Sequence, residues 1–191
     1  MSEANEGLVI AHLGQGIAVE SSAKIILCQT RRRLDTVAVG DNVLWTQSAP
    51  DQGRIEEILP RRSLLARPSS GSKVRPVAAN LDTVFIVFAV EPACDFLLLD
   101  QYLAVCENNT IAAALVLNKI DLALSETIEK ELLNYQALGY PLYRVSVKTD
   151  NGLNELKLAL KDQVSILTGQ SGVGKSSITT GRFGSAGSNI A

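Results

Sequence analysis

The chain is poor in the residues that build metal sites and covalent frameworks. Among 191 residues there is one histidine, one tryptophan, one methionine and three cysteines. A single His12 excludes a metal site built from several histidines, and it reads as a surface or half-buried strand residue. Cys28, Cys94 and Cys106 are odd in number, far apart and without C-x-x-C spacing. They fit neither a disulfide framework nor a thiolate zinc site, and they suit a reduced cytoplasm. No apolar run approaches the roughly 18–20 residues of a membrane span, so no membrane partner is expected. The N-terminus, Met1-Ser2-Glu3-Ala4-Asn5-Glu6, lacks a basic region, so no secretory signal is expected. What remains is ordinary globular material, 46% hydrophobic and 20% charged, enough for one ample core or two small ones.

The net charge of −2 conceals a split. Residues 24–78 carry ten Lys/Arg against five Asp/Glu, whereas residues 79–191 carry eight against twelve. A basic part joined to an acidic part predicts two domains with different partners. In the first, residues 8–19, 24–28, 42–46 and 53–59 form short apolar or alternating runs separated by turn signals. Several short strands in about 70 residues predict a small barrel such as an OB-fold. Arg31, Arg32, Arg33, Arg61, Arg62 and Arg67, with Lys73 and Arg75, cluster around these runs. Such an excess of cations fits an RNA-backbone footprint, since phosphate contacts displace counterions; a solvated charged rim would look the same. Trp45 reads as core rather than as a stacking platform. The stretch 68–76, rich in Ser and Gly between prolines, reads as a linker, which divides the chain into 1–78 and 79–191.

The second part alternates strand and helix, which predicts an α/β domain with a mostly parallel sheet and helices on both faces. Strands are expected at 83–90, 111–117, 142–145 and 164–168, and helices at 96–108, 125–138 and 153–160. Ser125 serves as N-cap and Gly139 as stop. The last of these strands runs into Gly169-Gln170-Ser171-Gly172-Val173-Gly174-Lys175-Ser176, which fits the P-loop pattern G-x-x-x-x-G-K-[ST]. Glycines there let several backbone N–H groups converge on one phosphate, and the following helix N-terminus, opened by Ser177 and Ile178, adds partial positive charge. Lys175 is expected to reach the β- and γ-phosphates and Ser176 to help hold Mg²⁺.

The strand at 111–117 ends in Asn118-Lys119-Ile120-Asp121, the pattern N-K-x-D. Asp121 is suited to accept hydrogen bonds from guanine N1–H and its exocyclic amine. Adenine offers neither donor, and a buried carboxylate would be left unpaired. The stem of Lys119 is suited to cover the base, and Asn118 to tie its loop to the base edge or the phosphate loop. Ser146-Val147-Lys148, after the next strand, is placed to offer backbone N–H groups to the guanine carbonyl. Together the three segments indicate GTP or GDP rather than ATP. Their order is inverted relative to ordinary GTPases, where the P-loop comes first.

On these residues, together with Val39-Gly40-Asp41-Asn42-Val43, Ile58-Leu59-Pro60-Arg61-Arg62-Ser63 through Arg67-Pro68, and Ala79-Asn80-Leu81-Asp82, the chain resembles the circularly permuted GTPases of the RsgA (YjeQ) type over residues 7–178. The resemblance implies an N-terminal OB-fold docking on ribosomal RNA and a circularly permuted P-loop GTPase domain. It further implies GTP hydrolysis stimulated by the small (30S) ribosomal subunit in its late maturation, by a cytoplasmic protein expected to act as a monomer. Family members continue with two switch segments and a zinc-binding module. Residues 178–191 depart from that pattern, with Gly181, Gly184 and Gly187 each costing a helix about 1 kcal/mol against Ala. The chain therefore reads as truncated or altered after the P-loop, with hydrolysis impaired, no zinc ligands, and an apolar sheet edge left open beside the P-loop strand. A nucleotide-binding remnant without turnover and an RNA-binding OB module alone are the alternative readings.

Overall fold

The computed structural model describes residues 4–31, 34–68, 74–182 and 189–190, which fall into two units, residues 1–81 and 82–190. In the first unit β1 (Asn5–Leu13), β2 (Gly16–Ser21), β3 (Lys24–Thr30), β4 (Asn42–Ala49) and β5 (Gln52–Ile58) close a five-stranded barrel in the order β1-β2-β3-β5-β4. Closure comes from β1, which pairs antiparallel with both β2 and β4. Strand alternation sends Val9, Val19, Cys28, Val43, Trp45 and Ile55 inward, each nearly or wholly buried. Trp45 is therefore core. His12 is exposed on β1.

The stretch read as a linker is built differently. β6 (Leu64–Pro68) and β7 (Val74–Ala79) form an antiparallel two-stranded ribbon, with residues 69–73 outside the described set. Proline is tolerated here because a two-stranded ribbon has an unpaired outer side on each strand, where a missing N–H costs no ladder bond. The ribbon bulges between Leu65 and Ala66, the residue opposite Pro76.

The second unit is a parallel sheet in the order β10-β9-β8-β11-β12. Its strands are β8 (Thr83–Ala89), β9 (Ala112–Asn118), β10 (Leu142–Arg144), β11 (Val164–Gly169) and β12 (Asn189–Ile190). Helices α1 (Phe96–Asn108), α2 (Glu126–Ala137), α3 (Leu153–Leu160) and α4 (Lys175–Arg182) connect or follow them. Asp95 caps α1 by accepting from Leu98 N at 3.0 Å, and Ser125 caps α2 by accepting from Ile128 N. One face of the sheet packs Phe85, Val87 and Ala89 of β8 with Leu156 and Leu160 of α3 and Ile178 of α4. On the other, Ile86 and Phe88 share a crevice with Leu98 and Leu99 of α1. The Tyr135 hydroxyl donates to Asp100 at 2.7 Å, tying α2 to α1.

Two expectations for the tail need correction. α4 begins at Lys175 and carries through Gly181, because the buried Ile178 docks its first turns on the core. The edge beside β11 is not wholly open: Val164 and Ser165 pair in parallel with Asn189 and Ile190. Residues 183–188 lie outside the described set.

Candidate nucleotide site

At the C-terminal ends of β8, β9 and β11 the sheet brings together segments more than fifty residues apart in sequence. The Asn118 side chain, 2% exposed at the end of β9, donates from Nδ2 to Val173 O in the β11–α4 loop at 2.9 Å. Gly174 must lack a side chain for this to happen. A Cβ there would lie 2.4 Å from Asn118 Nδ2, and its φ of +93° is in the left-handed region. Gly169 is equally constrained: a Cβ would lie 1.9 Å from Val87 O on the neighbouring strand. Val173, fully buried, pins the middle of the loop into the hydrophobic core.

Around this join the loop's carbonyls are held by cations. Lys175 Nζ donates to Gly169 O at 2.8 Å and Gln170 O at 2.7 Å. Lys119 Nζ donates to Gly172 O at 3.0 Å and to Glu91 O, in the loop after β8, at 2.6 Å. Ile120 N donates to Val145 O, closing the turn against the end of β10. Ser146, fully buried, donates from Oγ to Asp121 Oδ1 at 2.7 Å, and Lys148 Nζ stands 3.7 Å from Asp121 Oδ2. The Ser146 hydroxyl, then the Lys148 charge, hold the Asp121 carboxyl below the usual carboxylate range. Asp121 is therefore ionised at neutral pH, an acceptor with one oxygen already oriented.

A cavity of about 420 Å³ opens among Asn118, Lys119, Asp121, Leu122, Val147, Lys148, Gly174 and Ser177. Its size suits a base with its sugar, and its polar groups lie at separated points on an otherwise apolar lining. Asn118 Oδ1 is buried without a hydrogen-bond partner, an acceptor that a bound group would satisfy. Ser171, Gly172, Ser176 and Ser177 are exposed along the loop and the start of α4, where a helix N-terminus favours an anion. Ser176 stands at the position from which a hydroxyl would help hold Mg²⁺ beside a phosphate. Two contributors escaped the sequence reading. Leu122 lines the cavity one residue beyond the motif, where its apolar character was visible; Glu91 acts through a main-chain carbonyl, which leaves no trace in sequence.

Three of the arginines expected to face RNA, Arg31, Arg61 and Arg62, have described side-chain partners within the chain. Arg61 grips the fully buried Asp41 in two-pronged fashion, Nε to Oδ1 at 2.7 Å and Nη2 to Oδ2 at 2.8 Å, and also donates to Thr36 O. It is a strut of the barrel unit, with its guanidinium already spent on Asp41 and Thr36. Arg62 donates from its backbone N to Asn80 Oδ1 and from Nη2 to Asn80 O. Arg31 pairs with Glu56 while remaining exposed. Arg32 and Arg33 lie outside the described residues, as does the side chain of Arg67. Among the described residues no three His, Cys, Asp or Glu side chains are grouped to hold a metal ion, and no helix is long and apolar enough to cross a membrane.

A closed OB-like barrel, a parallel sheet and a P-loop motif joined to an N-K-x-D turn that precedes it in sequence are the features of the circularly permuted GTPase fold. The model of the RsgA GTPase family matches residues 58–185, and the chain belongs to that family. It is 42% identical over 180 residues to the small ribosomal subunit biogenesis GTPase RsgA of Azotobacter vinelandii, covering 90% of this chain and 52% of the relative. To the protein of the same name from Sodalis glossinidius it is 39% identical over 186 residues, covering 93% and 54%. The chain thus spans about half the length of the curated relatives it matches. Among solved structures, YjeQ from Thermotoga maritima superposes with a TM-score of 0.78 at 33% identity, covering 96% of this chain and 66% of that one. YloQ, described as a circularly permuted GTPase, gives 0.72 at 30% identity, covering 93% and 63%.

Proposed function

We propose that this chain binds GTP and GDP with Mg²⁺ and belongs to a GTPase acting in late maturation of the small ribosomal subunit. The observation that carries the reading is the junction between Asn118 and Val173. It supports reading Asp121 as the guanine acceptor and Gly169–Ser176 as the phosphate loop of one site, since Asp121 and Gly174 line the same cavity. Asp121 would accept from the two guanine donors, Ser146 and Lys148 hold it charged, and Lys175 with the loop's N–H groups would take the phosphates. Bound Mg²⁺ would neutralise phosphate charge beside Ser176. The names of the relatives support the small ribosomal subunit as partner and GTP hydrolysis as the activity of the whole protein; rRNA as the surface met belongs to the same reading. Cytoplasmic location and a monomeric state are parts of the same reading.

The barrel unit would meet rRNA through cations other than Arg61, with Arg31 the exposed candidate among the described residues. Calorimetric titration with GDP, GTP and ATP in the presence of Mg²⁺ tests the nucleotide reading. Guanine nucleotides should bind at least about tenfold tighter than ATP, and Asp121→Asn should lose that preference. Equal affinity for ATP and GTP in the unmodified chain would overturn it.

A further inference from the structure

Asn151-Gly152 is the one place in the chain where glycine follows asparagine. An asparagine side chain is open to attack by the backbone nitrogen of the next residue, and a side chain on that residue is the main obstacle. Glycine presents none. Here the fold imposes the glycine. Gly152 stands at the N-cap position of α3 with φ of +70°, and a Cβ on it would lie 1.9 Å from Arg144 O at the end of β10. The preceding Asp150 is also left-handed, with φ of +58°. Residues 148–151 are all exposed, between the buried Val145 and Ser146 on one side and the buried Leu156 on the other. Water therefore reaches Asn151, and its reactive neighbour cannot be exchanged for a bulkier one.

The main chain of Asn151 is also in use. Its carbonyl accepts from Ser146 N at 2.9 Å, in a bridge between residues 146 and 151. That contact closes the loop in which the Ser146 hydroxyl accepts from Thr149 N at 3.3 Å and donates to Asp121 Oδ1 at 2.7 Å. A change in the peptide link after Asn151 thus acts one hydrogen bond away from Ser146, and two away from the carboxylate read as the guanine acceptor.

We propose that Asn151 is a self-modification site, where deamidation through a cyclic imide converts it to isoaspartate and disengages Ser146. The Gly152 nitrogen forms a bond to Asn151 Cγ, the Cγ–Nδ2 bond breaks, and Nδ2 leaves as ammonia with the proton from Gly152. One water then opens the ring. Opening at the former main-chain carbonyl gives isoaspartate, whose peptide link runs through the side chain and is longer by one methylene. Opening at Cγ gives aspartate with the main chain unchanged, and nothing is oxidised or reduced in either case. In the isoaspartyl form the group that held Ser146 N is a free carboxylate outside the main chain, and Gly152 is packed too closely on Arg144 O to absorb the extra length. The loss of nucleotide affinity that follows rests on the nucleotide reading above; the modification itself does not.

The full chain would be aged in mildly alkaline buffer beside Asn151→Gln and Asn151→Asp. Digestion at lysine releases residues 149–157, which also carry Asn154, exposed and followed by Glu155, as an internal reference. Isoaspartyl carboxylates are counted by labelling with an isoaspartyl methyltransferase, and GDP is titrated with Mg²⁺ into fresh and aged protein. Label should accumulate at residue 151 and not at 154. The labelled fraction should bind GDP more weakly by about fivefold or more, the scale of one lost hydrogen bond. Asn151→Gln, whose longer side chain disfavours the ring, should gain no label and keep its affinity. Fresh Asn151→Asp, which adds the charge but keeps the main chain, should bind GDP within about twofold of the unmodified chain. Hydrogen exchange reads the same event without ligand: residues 144–148 should exchange faster in the aged chain, while α1 stays unchanged. Label at 151 no faster than at 154, or labelled protein in which GDP affinity or the exchange of 144–148 is unchanged, would overturn the proposal. If the fresh chain binds no GDP, the nucleotide reading falls alone, and label and exchange still decide this one.

Discussion

Asp41 in the barrel unit and Asp121 in the sheet unit are both held by hydrogen bonds within the chain, and both have a basic side chain nearby. Their neighbours account for them in opposite ways. Asp41 is wholly buried, takes two hydrogen bonds from Arg61 and a third from Ala38 N at 2.7 Å. Asn80 nearby spends its amide on Gly40 O and Arg62 N. Asp121 takes one hydroxyl at 2.7 Å and a distant ammonium at 3.7 Å, keeps 15% of its side chain exposed, and borders a cavity also lined by Asn118, whose buried Oδ1 has no partner. The first network is closed on itself and holds the fold. The second is left open on one side, which is what a ligand requires.

The comparison is broken most severely by Arg61→Ala. Removing the guanidinium strands a buried carboxylate, which costs about 3–5 kcal/mol. Urea unfolding followed by Trp45 fluorescence, which reports on the barrel core, should show a midpoint shift of that size; a loss under about 1 kcal/mol would make Arg61 a surface cation after all.

Ser146→Ala acts on the open network and should cost about 1 kcal/mol of guanine affinity with little change in unfolding. It also moves a pH boundary. Because the Ser146 hydroxyl stabilises the ionised form, the Asp121 pKa lies below its ordinary 3.8. Affinity and the associated stability are then fully present above that ordinary value and fall only as pH drops through the lowered one. In Ser146→Ala the fall in GDP affinity should begin at higher pH, nearer the ordinary carboxylate value. Coincident pH profiles for the two proteins would show that the hydroxyl does not set the carboxylate's charge.

Lys148→Gln is the mildest change. Its ammonium is 80% exposed and 3.7 Å from Asp121, so the expected effect on GDP affinity is under about 1 kcal/mol and shrinks with added salt. A larger, salt-independent loss would mean that Lys148 belongs with Ser146 rather than with the solvent.

The same contrast explains what sequence could and could not convey. Helices 96–108 and 153–160 were legible to the residue as leucine-rich runs between turn-forming residues, although α3 starts at Gly152 without a side-chain cap and α1 buries Leu99, Leu103 and Cys106 while Leu97 is exposed. The inverted order of N-K-x-D and P-loop was legible because each motif sits at the end of an apolar β-branched strand, whose C-terminal end is where a parallel sheet gathers ligands. The partner of Arg61 was not legible because a formal charge carries no record of what it pairs with, and Asp41 lies twenty residues away. The ribbon β6–β7 was misread because prolines and serines look like breakers whether or not an edge tolerates them. Glu91 could not be found, since any residue type presents the same carbonyl.

The order of strands in the sheet also sets a clock for biosynthesis. β8 lies between β9 and β11, yet β11 is translated about 80 residues after it. At roughly 5–20 residues per second, one flank of a strand reading Val84-Phe85-Ile86-Val87-Phe88 waits about 4–16 s for its neighbour to leave the ribosome. The turn 118–121 is thus made before the loop 169–176, which docks beside β8 as Val173 enters the core. That docking also covers the waiting flank of β8, so the turn after β9 and the loop after β11 meet only once β8 is enclosed on both sides.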